Sequence, residues 1–170
     1  MAQAETTERS AAEIARSYFE AVAARDVEAM LEHWDPDGGG YIHGMVDVRV
    51  PDTYRGWFAD MFKAFPDFRF EVLDIVAEGD KAVVRWRANG TFNGSTRFEG
   101  MDPNGARVET EGCDVLTIRD GKLVSNYAYT NGAEMMRQLG ALPAAGSTQE
   151  KALLGALNAR TKVSERLRRR

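Results

Sequence analysis

The sequence predicts an α+β domain in which helices lie on one face of a strongly curled, antiparallel or mixed sheet and enclose a cavity. Three observations predict it. Apolar residues recur with helical spacing as far as Pro66, then alternate with period two as far as Tyr129. The last helix of the first stretch carries Trp57, Phe58 and Phe62, side chains bulky enough to roof a pocket or to fill one as solid core.

In chain order, residues 1–9 carry no periodic signal and are expected to be disordered. Ser10 followed by Glu13 makes a capping box, and Ile14, Tyr18 and Val22 repeat every fourth residue, which defines a first helix. Asp26 caps a second, whose positions Val27, Met30, Leu31 and Trp34 keep helical spacing until Asp35-Pro36 ends it. "DPDGGGYIHGM" then reads as a loop, in which Gly38, Gly39 and Gly40 either take positive φ and turn Ile42-His43 inward or make a plain surface turn that leaves His43 exposed or hydrogen-bonded. The third helix follows Asp52 with Tyr54, Trp57, Phe58, Met61, Phe62 and Phe65, and Pro66 closes it.

Beyond Pro66 four strands are expected: "FRFEVLDIVA", "KAVVRWRANGTF", "ARVETEGCDVLTIR" and "KLVSNYAY". Gly79-Asp80 and Asp120-Gly121 supply tight turns, so neighbouring strands run antiparallel. "GAEMMRQLGAL" reads as a short helix and "PAAGS" as a linker. Residues 148–168 read as a last helix with Leu153, Leu154 and Leu157 on one side.

Composition narrows the function. The apolar fraction of 44% suits one globular domain. No apolar run approaches the roughly 20 residues that span a bilayer, and "MAQAETTERS" lacks a signal-peptide layout, so no membrane contact and a cytoplasmic location are expected. One cysteine and two histidines offer no Cys/His metal cluster, and neither metal nor cofactor is expected. Net charge is −4. Seven basic residues against Glu165 give the last twenty positions +6 and leave the body at −10, which argues against a nucleic-acid partner.

The order of elements, with "SYFEAVAARDVEAM" near the start and "GCDVLTIRDGKLVSNYAY" near the end, resembles the SnoaL-like polyketide cyclase and ketosteroid isomerase superfamily, whose cone-shaped fold is shared with nuclear transport factor two. The resemblance covers residues 10–142 and leaves 143–170 as a linker and basic C-terminal helix. It implies a tyrosine on the first helix, an acid on the penultimate strand and a base after the second helix. By motif these fall on Tyr18, Asp114 and His43. Where the cyclases of the family show a histidine, this chain has Phe92 in "NGTFNG".

Proton abstraction beside a carbonyl needs a base in reach and donors aimed at the oxygen that becomes an enolate. Imidazole suits the first role. A neutral carboxyl and a phenol suit the second, the arrangement known from ketosteroid isomerase. On this assignment His43→Ala lowers turnover about 100-fold or more.

Strand parity supports Asp114, because inward Leu116 and Ile118 bring Asp114 and Thr110 in with them. The alternative is a structural aspartate bonded to Arg85 or Arg87, although inward Val84, Trp86, Ala88 and Phe92 would place both arginines outside. Trp34, Phe58, Phe62, Trp86 and Phe92 are candidate pocket lining, and Asn126 either orients a substrate or satisfies backbone groups. Tyr127 and Tyr129 fall on the outer face, where a homodimer is expected. The expected function is cofactor-independent isomerisation or aldol-type cyclisation of a hydrophobic carbonyl compound. A non-catalytic binding module for an apolar metabolite and a protein-recruiting assembly domain remain alternatives.

Overall fold

A computed structural model of the chain describes residues 9–168 and orders them as α1 (Ala11–Ala24), α2 (Val27–Glu32), β1 (Trp34–Ile42), β2 (Val46–Arg49), α3 (Asp52–Ala64), β3 (Arg69–Glu78), β4 (Lys81–Phe92), β5 (Ala106–Arg119), β6 (Lys122–Thr130), α4 (Gly132–Gln138) and α5 (Thr148–Arg168). The segment expected to be disordered lies outside the described residues except for Arg9. The strands form one curved sheet in the order β2-β1-β6-β5-β4-β3, antiparallel throughout except for the parallel pair β1 and β6.

Helix α1 begins as expected. The Ser10 hydroxyl accepts from the Glu13 amide at 3.3 Å, and the Glu13 carboxylate accepts from the Ser10 amide at 2.8 Å. Ile14, Tyr18 and Val22 form its buried stripe. Asp26 caps α2 by accepting from the Ala29 amide at 3.0 Å.

That helix stops two residues before Trp34, which corrects the sequence reading. A residue ahead of proline is disfavoured in helical conformation, so Asp35 is held extended and the chain enters a strand. The Leu123 amide bonds the His33 carbonyl at 2.8 Å and registers Trp34 against Leu123.

The glycine run is therefore a strand rather than a loop, and none of Gly38, Gly39 and Gly40 has a positive φ. They serve close approach instead. A Cβ on Gly38 would sit 2.8 Å from Trp34 Cε3, and one on Gly40 would sit 3.1 Å from Val48 Cγ2 and 3.9 Å from Trp34 Cη2. Every second residue of this strand faces inward, so the two glycines leave a slot in which the indole lies against bare backbone. Strand β2, absent from the sequence reading, returns from the His43-Gly44-Met45 turn and closes the edge beside β1.

The other strands fall close to their expected bounds, and β4 buries Val84, Trp86, Ala88 and Phe92 as parity required. Arg85 and Arg87 lie outside, paired with Asp74 and Glu111 at 2.6 Å each. Helices α1 and α3 cover the inner face. Phe65, Phe92, Phe98, Met135 and Leu139 form a second apolar cluster apart from the main core. Helix α5 leaves Leu153, Leu154 and Leu157 exposed, and the Arg137–Glu150 ion pair at 3.3 Å ties its first turn to α4.

Candidate active site

Between the inner face of the sheet and helices α1 and α3 lies an apolar cavity of about 150 Å³, whose polar lining includes Tyr18, Tyr54, Trp34, Asp114 and Asn126 and, farther along β5 and β6, Thr110 and Thr130. Each arrives for a local reason. Asp114 shares the inward parity of Leu116 on β5, and Asn126 is the inward residue of β6 paired with Leu116. Trp86 comes from β4, diagonally across from Asp114. Its indole can lie over β5 because position 112 is glycine: a Cβ there would sit 2.3 Å from Trp86 Cζ2.

Asp114 is buried, with 5% of its surface exposed. Trp86 Nε1 donates to its Oδ1 at 2.7 Å, and Asn126 Nδ2 donates to its Oδ2 at 2.6 Å. Among the described residues no cation reaches it, since both nearby arginines are engaged on the outer face, so the structural pairing with Arg85 or Arg87 is overturned. Burial raises its pKa from 3.8 to about 6, and the bonds from Asn126 and Trp86 oppose that rise. At neutral pH the group is mostly a carboxylate, held in an apolar wall by two neutral N–H donors.

Near enough to Asp114 to feel its charge, the hydroxyls of Tyr18 and Tyr54 lie 2.6 Å apart, and both residues are about 1% exposed. Burial holds both phenols neutral by pushing their pKa values well above the ordinary one, and the nearby charge of Asp114 pushes the same way. One of their two protons occupies the contact between them. The other remains available as a donor. Two further buried atoms in the same group, Trp34 Nε1 and Asn126 Oδ1, make no well-formed hydrogen bond among the described residues, although Trp34 stands close enough to both phenols, and Asn126 to Tyr18, to favour their ionised forms slightly against burial.

The site thus brings together Tyr18, Asp114, Asn126, Trp34 and Trp86 from the sequence reading, and adds Tyr54. That tyrosine was legible only as one apolar position in the aromatic stripe of α3, and its spacing says nothing of the Tyr18 hydroxyl that its own meets. Phe58 lines the cavity. Phe62 and Phe92 do not: Phe62 packs between Phe58 and Phe68, and Phe92 stacks on Phe65 in the second cluster with ring centroids 5.2 Å apart.

His43 is also outside, which corrects the inward turn expected of it. Gly40 and Ile42 of β1 face the cavity beside Asn126 and Ala128, so period two sends Tyr41 and His43 to the other face. The imidazole is exposed and stacks on Tyr129 with ring centroids 4.3 Å apart. His43→Ala is accordingly expected to leave turnover of a cavity substrate unchanged; a loss of about 100-fold in a steady-state assay would return the base to this residue.

The second histidine is structural, with Nδ1 on the Ala29 carbonyl and Nε2 on the Ser17 hydroxyl, both at 2.8 Å from His33. Among the described residues no group of three or more His, Cys, Asp or Glu side chains is placed to hold a metal ion.

A family model described as SnoaL-like polyketide cyclase matches residues 12–139. A search of curated proteins finds no match. Among solved structures, the chain is similar to AclR of Streptomyces galilaeus, described as a candidate hydroxylase, at 29% identity and a TM-score of 0.67, over 76% of this chain and 95% of that one. It is similar to IdmH of Streptomyces antibioticus, described as a candidate polyketide cyclase, at 28% identity and a TM-score of 0.62, over 78% and 99% of the two chains. A SnoaL-like protein of Jannaschia sp. CCS1 shares the fold at 22% identity and a TM-score of 0.70, over 84% and 100%.

Proposed function

Because the chain belongs to the SnoaL-like polyketide cyclase family, we propose that it is a cofactor-independent enzyme that moves protons on a hydrophobic carbonyl compound, with Asp114 as the base. The observation that carries this reading is a buried carboxylate with no cation against it among the described residues, set beside a phenol pair that has a proton to spare. A carboxyl with a pKa of about 6 is ionised at neutral pH yet basic enough to accept a proton, a better match than an ordinary surface aspartate.

In the proposed reaction Asp114 removes a proton from the carbon next to the substrate carbonyl, and the C–H electron pair moves into the enolate. The spare phenol proton and the Trp34 N–H stabilise the oxygen that gains charge. Returning the proton from Asp114 to a different carbon completes an isomerisation. If the enolate carbon instead attacks a second carbonyl of the same molecule, the proton passes to the new alkoxide and a ring closes. Isomerisation and ring closure share the same first step, so exchange of the α-proton for deuterium, followed by NMR on a simple ketone, tests both.

The largely apolar lining also suits a binding module for an apolar metabolite. The two readings part on Asp114→Asn. A binder keeps its ligand and shows no exchange in either form, whereas the enzyme loses exchange only in the variant.

We extend the proposal to a homodimer formed through the outer sheet face, and to a cytoplasmic location compatible with the single cysteine. Support for the dimer comes from Tyr41, His43, Tyr127 and Tyr129, which stack into an aromatic patch with Tyr129 49% exposed. Tyr129→Glu is expected to shift sedimentation from dimer to monomer; a wild-type monomer would refute the interface. No helix among the described residues is long and apolar enough to cross a membrane.

A further inference from the structure

Four residues along β5 from Asp114, the cavity wall carries a second polar feature that the proposed chemistry does not use. Thr110 and Thr130 both line the cavity, and their hydroxyls lie 2.7 Å apart. Thr130 Oγ1 donates to the Glu111 carbonyl at 3.1 Å, and Thr110 Oγ1 approaches the same oxygen at 3.4 Å.

Two hydroxyls own two protons. One must occupy the 2.7 Å contact and the other goes to the Glu111 carbonyl, so neither assignment leaves a proton for a third partner. What the pair can offer a ligand is lone pairs only. The opposite end of the wall has the reverse polarity, with an unpartnered Trp34 N–H and a spare phenol proton. Between the two ends lie Gly112, Ala128 and the Trp86 indole, none of which offers a free hydrogen-bonding side-chain group.

The strand bounds the ligand along one direction. Asp114 and Thr110 stand four residues apart on β5, roughly 13 Å at about 3.4 Å each, so a ligand whose α-carbon meets the carboxylate reaches the threonine pair only if it extends along the strand.

We propose that Thr110 and Thr130 form a second subsite of this cavity that accepts a hydrogen bond from a hydroxyl group at the far end of an extended, enolisable ketone. The inference rests on the cavity being the substrate site, and it assigns the threonine pair the choice between hydroxylated and capped substrates.

The test uses the full chain with 6-hydroxy-2-tetralone and 6-methoxy-2-tetralone, which differ in whether the distal oxygen can donate. Binding is followed by the fluorescence of the cavity tryptophans. Wild type is expected to favour the hydroxy ketone about tenfold. Thr110→Val and Thr130→Val are each expected to bring the ratio to about one, while Thr110→Ser keeps it. Because the ratio is internal to each variant, partial loss of stability does not obscure it.

A ratio near one in wild type, a preference that survives both valine variants, or failure of both ketones to bind would overturn the subsite. Loss of the base assignment reads differently. There, Asp114→Asn would still exchange the α-protons of 6-methoxy-2-tetralone while the binding ratio stayed intact.

Discussion

Replacing Asp114 by asparagine is expected to lower kcat/KM by about 100-fold to 10,000-fold, the range for a lost general base. The side chain keeps its shape and can still accept from Trp86 Nε1, while the Asn126 amide turns to present its Oδ1, so the variant folds with the cavity intact. The pH profile carries the sharper signature. In wild type, kcat/KM should rise as pH climbs through about 6, where Asp114 ionises, and then level off. Were Asp114 a neutral donor, activity would fall over the same interval.

Stability should move the opposite way. A carboxyl whose pKa is raised on folding stabilises the fold fully below its unfolded value of 3.8 and loses that contribution as pH rises through about 6. Denaturant unfolding at pH 4 and pH 7 should therefore show Asp114→Asn gaining about 2 kcal/mol on wild type between the two. The base is held at a cost to the fold, as functional groups in apolar walls commonly are.

The second large effect is expected from Gly112→Ala. An added methyl would lie 2.3 Å from Trp86 Cζ2 and 2.7 Å from the Tyr129 carbonyl, and the second neighbour is backbone that cannot swing away. Overpacking of this kind costs about 1 to 3 kcal/mol. The indole must tilt off the strand, which withdraws one of the two N–H donors that hold the carboxylate. With that bond gone, burial is less opposed and the Asp114 pKa rises further. The ascending limb of kcat/KM should shift to higher pH in Gly112→Ala, alongside a lower melting temperature. A destabilised variant with an unmoved limb would mean that Trp86 does not set the carboxyl's basicity.

Side-chain parity decided what could be read from the sequence. Strands β3 to β6 alternate apolar and polar residues, and Gly79-Asp80 and Asp120-Gly121 turn β3 into β4 and β5 into β6, so their bounds and the inward set from Val84 to Phe92 were legible, and Asp114 followed from Leu116. In β1 that signal is missing. Three glycines have no side chains to alternate, Pro36 imitates a helix stop, and the partner is β6, some ninety residues later in parallel. With β1 read as a loop, nothing fixed the direction of His43, and a flexible bend was invoked where a tryptophan slot exists.

Trp34 illustrates the same limit from the other side. Its place in the cavity was legible from its bulk, although it lies on a strand rather than a helix. Phe92 does face inward, but the sheet is longer than the cavity, and at that end the inner face is filled by Phe65 and Phe98. Tyr54 was legible as a buried position but not as a site residue, because an aromatic stripe at helical spacing reports burial and says nothing of where one hydroxyl meets another.

The most direct test is an NMR titration of the aspartate side-chain carboxyl carbons, with Asp114→Asn assigning the resonance. The account predicts one carboxyl that changes protonation near pH 6 and perturbs the ring signals of Tyr18 and Tyr54 as it does so. An Asp114 that titrates near 4 with the surface carboxylates, or whose ionisation leaves both tyrosines untouched, would contradict it.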